Sequence, residues 1–168
     1  MNAELLSESV ILAELEQYAR FKQAHRAGKR GAELPEVSSR DASTRLAAVG
    51  TLTLHPLLGA LTAIAQPIGA HRLVALLARA RIASDRWSYE PRSCGLNEAY
   101  TSLGRALLRR GDVAGAIQCL DASWHVHPCP HNTSFGLRQD LATELKAYAV
   151  AQISLEQYER MSRRFLGG

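Results

Sequence analysis

Apolar residues recur at helical spacing along most of the chain. Leu5, Leu12, Leu15 and Ala19 share one face, widened by Ile11, Tyr18 and Phe21, which predicts an amphipathic N-terminal arm over residues 3–25 that docks on a larger core. Residues 27–38 break the pattern with Gly28, Gly31 and Pro35 among charges and read as a linker. A helical core over 41–84 follows. Its first helix starts near Asp41 and ends before His55. Pro56 and Pro67 then stand where first-turn prolines open two further helices, 57–66 and 68–84, because neither position needs a backbone donor. Within the latter, Leu73, Val74, Leu76, Leu77 and Ala80 leave a narrow polar side of Arg72, Arg79 and Arg81, which predicts the helix most central to the core. Residues 85–95, with Trp87, Tyr89 and Pro91, read as a loop pinned by its aromatics.

The pattern is sharpest over 97–128. Tyr100, Leu103, Gly104 and Leu107 form one stripe, Gly111-Asp112 interrupts it, and Ala116, Ile117 and Leu120 begin a second. Two helices and a tight turn follow from this. Gly104 and Ala116 are small where the two backbones should approach, Gly111 supplies a left-handed residue, and Asp112 caps the second helix. That helix should run through His125 and stop at Pro128, whose ring cannot continue the hydrogen-bonded ladder. Residues 129–135 read as a loop.

A C-terminal helix pair fills 135–166. Leu137, Leu141, Leu145 and Tyr148 make its first stripe, and Ser154-x-x-Gln157 looks like a capping box opening a final helix with Leu155, Tyr158, Met161 and Phe165 on one face. No alternating pattern of useful length competes. The chain therefore reads as a single all-α domain, 1–168, of about seven or eight helices.

The segment 97–128 resembles one tetratricopeptide repeat, with Tyr100-x2-Leu103-Gly104-x2-Leu107, then Ala116-x3-Leu120, then Pro128 in register and without a gap. The departures are Leu107 and Leu120 in place of aromatics and Ser123 in place of alanine. The resemblance implies helical hairpins packed as an irregular, right-handed tetratricopeptide-like array. It also implies that the first helix of the hairpin lines a concave groove, which directs Glu98, Thr101, Arg105, Leu108 and Arg109 toward a partner. Family members that clamp a peptide's terminal carboxylate use lysine, arginine and asparagine in that groove. Glu98 and Ser102 stand at the corresponding positions here, so that clamp is not expected.

Composition narrows the function less than the fold. At 168 residues the chain can bury a full core, and its three cysteines, Cys94, Cys119 and Cys129, match no zinc or disulfide framework and suit a reducing compartment. Acids near the N-terminus and a short apolar run over 10–13 predict no secretion signal and a cytoplasmic location. The apolar stretch 49–70 is interrupted by His55, Pro56, Gln66 and Pro67, so core helices rather than a membrane span are expected. The net charge of +4 is small. Basic residues interleave with acids rather than with aromatics, which argues against a nucleic-acid partner; that alternative requires Arg72, Arg79, Arg81, Arg105, Arg109 and Arg110 to form one continuous positive stripe.

The densest polar chemistry lies in His125-Val126-His127-Pro128-Cys129-Pro130-His131. An extended backbone would place His127, Cys129 and His131 on one side, and these are zinc or copper ligand types, the basis for a metal-dependent enzyme as an alternative. The spacing matches no ligand motif, and no nucleophile elbow or phosphate loop appears, so neither catalysis nor a cofactor is expected. The expectation is instead a noncatalytic protein-interaction module. Its most concrete form is a small immunity protein that binds and neutralises a secreted bacterial toxin through loops 85–95 and 129–135. The alternative is a chaperone or adaptor holding an effector peptide in its groove. Self-association into a homo-oligomer is compatible with an array lacking a polar cap at one end.

Overall fold

The computed structural model describes residues 7–26, 56–85 and 94–167. Among them are eight α-helices, one 3-10 turn and no strand. The helices are α1 (Glu8–Arg26), α2 (56–65), α3 (His71–Asp85), α4 (Cys94–Leu108), α5 (Val113–Ser123), α6 (Pro130–Phe135), α7 (Asp140–Leu145) and α8 (Gln152–Phe165), with the 3-10 turn at Ala149–Ala151. The fold is all-helical, and the helices pack around one apolar core. The expected linker over 27–38, the helix over 41–55 and the aromatic loop around Trp87 and Tyr89 lie outside the described residues.

The central element is α4, not the helix over 68–84 that the apolar pattern favours. Leu96, Ala99, Leu103, Ala106 and Leu107 are buried along it, and α3, α5 and α7 surround it. On α3 the inward sector is Val74, Ala75, Ala78, Arg81 and Asp85, whereas Leu73 and Leu76 face out. The reason is local packing. Ala75 and Ala78 let α3 approach α4 closely, while Arg81 meets a carboxylate of α4 and so tolerates burial. Pro67 does not open this helix: residues 66–69 form a turn, Gly69 takes φ +71°, and α3 begins at His71. Pro56 does stand at the first residue of α2.

The hairpin of α4 and α5 is formed as its residues predict. Gly111 has φ +81°, and Asp112 Oδ1 accepts from the Gly115 N–H at 2.8 Å. Gly104 is small for two neighbours at once: a Cβ there would collide with Leu141 of α7 and lie 3.0 Å from Cys119 Cβ of α5. The second helix ends at Ser123, earlier than Pro128 requires. Val126 is then buried in the connection, and 130–135 is a short helix rather than a loop, capped by Cys129, whose Sγ accepts from the Asn132 N–H.

At the C-terminus, α8 starts at Gln152, so Ser154 lies inside the helix and caps nothing; its hydroxyl lies near the Asp121 carboxyl of α5. Burial raises the Asp121 pKa against the lowering influence of that hydroxyl, and Leu155, Tyr158, Met161 and Phe165 form the buried face of α8 as predicted. The N-terminal arm seats through Ile11 and Leu15, with Ala19 exposed and the side chains of Tyr18 and Phe21 outside the described set. Two polar contacts fasten it, a hydrogen bond between His127 Nδ1 and Glu14 Oε2 at 2.6 Å and an ion pair of Arg160 with Glu8 at 3.1 Å.

Candidate functional site

An open cleft of about 320 Å³ lies between α2 and α4, bounded by Thr62, Ala63, Gln66 and Pro67 on one side and by Glu98, Ser102 and Arg105 on the other, with Arg138 at its end. Its polar groups are ordered by two carboxylates, each shared between guanidiniums. Glu98 accepts from Arg81 Nη1 at 2.9 Å through one oxygen and from Arg138 Nη1 at 3.1 Å through the other. Arg138 also holds Asp140 at 3.0 Å. Glu144 of α7 receives Arg105 Nε at 2.8 Å and Arg109 at 3.3 Å on the same oxygen. Fork-shaped donors suit such sharing, and the partly desolvated pairs, above all Arg81 with Glu98, hold α3, α4 and α7 in register.

The local backbone explains why these groups converge. Arg81 lies on the inward sector of α3, where Gly59 of α2 leaves room for it: a Cβ at Gly59 would come within 3.2 Å of the guanidinium. Arg138 is set by a buried polar node. Asn97 is 1% exposed; its amide donates to the Ser123 carbonyl at 2.9 Å and its oxygen accepts from the Arg138 N–H at 3.1 Å, while Tyr158 donates its hydroxyl to the Arg138 carbonyl at 2.5 Å. Burial pushes the Tyr158 pKa up to about 12.

Of the five residues directed toward a groove, the cleft gathers Glu98 and Arg105. Arg109 is exposed beside them and shares Glu144. Thr101 is buried at 3% exposure and offers no surface, and Leu108 packs against the core. The cleft's other walls, at 62–67 and Arg138, carry no motif. The one local sign of them is the Gln66-Pro67 break that sets the turn beside α2.

The histidine and cysteine run does not converge. His125 stacks on Trp124 with centroids 3.7 Å apart, His127 binds Glu14, Cys129 caps α6, and His131 lies against Phe135. Among the described residues no group of three metal-ligating side chains is assembled. Cys119 is buried, and loss of solvent pushes its thiol up to about 12, far from a reactive thiolate. The arginines of the expected stripe are divided: Arg81 pairs inward with Glu98, and Arg105 and Arg109 with Glu144, so they form no continuous run of unpaired cations. Among the described residues no helix is long and apolar enough to cross a membrane. No protein-family model, curated protein or solved structure matches the chain.

Proposed function

We propose that the protein is a noncatalytic protein-binding module of tetratricopeptide-like build whose partner is a folded protein. The observation that carries this reading is where the cleft opens. In chain order α2 and α3, α4 and α5, and, after the short α6, α7 and α8 make three pairs, and α4 touches α5 and α7 while α5 touches α7 and α8, a neighbour order that stacked hairpins produce. The cleft is walled by the first helices of two pairs and by Arg138, just before the first helix of the third. In the repeat family that side is the concave one.

Size favours a folded partner over an extended peptide. A cleft of about 320 Å³ takes a few side-chain groups, whereas a peptide run needs a continuous groove. Beyond the cleft, Arg109 and the 78%-exposed Phe135 offer the residue types that anchor interfaces. The finer form of the proposal is an immunity protein that caps a secreted toxin; a chaperone or adaptor is the alternative within the same class.

A tagged pull-down from the native organism at moderate salt tests the reading, with the variant Arg105→Glu/Arg109→Glu run in parallel and its helicity checked by circular dichroism. The expected result is one stoichiometric protein retained by the native chain and lost by the folded variant. Capture of no specific protein, or equal capture by both, overturns binding through α4.

A further inference from the structure

We infer that the cleft between α2 and α4 is a receptor for a single oxyanion, carboxylate or phosphate, gripped by the outer edge of the Arg105 guanidinium. Arg105 and Arg138 line it, and the ion pairs in and behind its walls join four guanidiniums, those of Arg81, Arg105, Arg109 and Arg138, to three carboxylates, Glu98, Glu144 and Asp140, one positive charge in excess within that set. The excess is not spread evenly. Both oxygens of Glu98 are engaged, each by its own guanidinium, so this carboxylate is neutralised where it faces the cleft. Arg138 is committed through Nε and both terminal nitrogens to Glu98 and Asp140. Arg105 spends only Nε on Glu144, and among the described residues its Nη groups have no bonded partner.

Arg105 therefore presents a fork of donors toward the cleft that it helps to line, with its side chain only 28% exposed. Partial desolvation strengthens a charge-assisted pair, and a planar fork donates to two oxygens of one group. The Ser102 hydroxyl and the Gln66 carboxamide stand on the same walls as neutral donors for a remaining oxygen. The volume admits a carboxylate or phosphate group with a short stem. On the protein-binding reading the group is an acidic side chain of the partner; a free phosphate compound is the other source.

The test is a titration of the isotopically labelled full chain followed through the Arg105 Nε–H signal and the backbone amides of 62–67 and 98–105. Inorganic phosphate and N-acetylglutamate α-amide are the two probes, each taken to tens of millimolar at constant ionic strength. Saturable shifts confined to these signals are expected, lost in Arg105→Gln and in Ala63→Phe, which fills the cleft from an exposed position and leaves every charge in place. Tighter saturation by the glutamate derivative assigns the site to a partner's side chain, and tighter saturation by phosphate assigns it to a free compound. Absence of saturation with both probes, or equal shifts in the folded variants, overturns the receptor. Capture of a protein partner that persists alongside such a negative titration leaves the binding module standing and removes the oxyanion site alone.

Discussion

Gly104 sits where α4, α5 and α7 meet, and its lack of a side chain lets all three approach. Alanine in a helix interior ordinarily gains about 1 kcal/mol over glycine, but overpacking a filled core costs about 1–3 kcal/mol. Leu141, the first atom a new methyl would strike, is fully buried and has nowhere to swing. Gly104→Ala is therefore expected to lower the urea midpoint rather than raise it. Asn97 works by polarity instead of size. Its removal in Asn97→Ala strips the Arg138 N–H and the Ser123 carbonyl of a buried partner, a loss of about 1–3 kcal/mol measurable by the same denaturation. Tyr158 and Cys119 predict an alkaline transition. Each keeps its proton to about 12 in the fold, against ordinary values of 10.0 and 9.0. The unfolded chain thus loses these protons first, so their stabilisation is complete below pH 9.0 and drains away as pH rises to about 12. Tyr158→Phe should be less stable than the native chain at neutral pH yet show a shallower decline above pH 10.0 in pH-dependent urea melts.

Elements were legible in proportion to how local their causes are. The turn at Gly111 and Asp112 depends on one left-handed residue and one cap three residues from its donor, both of which stand in the sequence. The inward sector of α3 was not legible, because a helix apolar around most of its circumference does not say which side meets the core. Arg81 looked like a solvent marker and is buried because Glu98, seventeen positions on, neutralises it. The same limit hides half the cleft: Thr62, Gln66 and Arg138 reach Arg105 only through tertiary packing. Ser154 shows the converse, a residue of a motif that fits a cap and that lies instead inside α8, near Asp121 of α5. The elements also differ in how firmly they are held. Helix α4 is walled on three sides, whereas α1 rests on Ile11, Leu15 and polar contacts exposed enough to contribute little. Hydrogen exchange should find α1 amides exchanging well before those of α4; protection of α1 equal to that of α4 would mean that the arm opens only with the whole domain.

At the scale of the molecule, the described helices enclose one core and leave a charged cleft between α2 and α4. Shared carboxylates fix the cleft's shape before any partner arrives, so association would cost little reordering there. The outer face of α8, none of whose residues lines the cleft, carries Glu156, Arg163 and Arg164 in solvent and provides an internal control surface. The most direct test of a protein-binding role places a photoreactive amino acid at Arg110, exposed in the turn that follows α4, and in a second chain at Glu156. Irradiation in cells of the native organism should give one adduct of defined mass from the position at Arg110 and none of that mass from Glu156. Adducts absent from both, or identical at the two positions, would contradict binding through the α4 face.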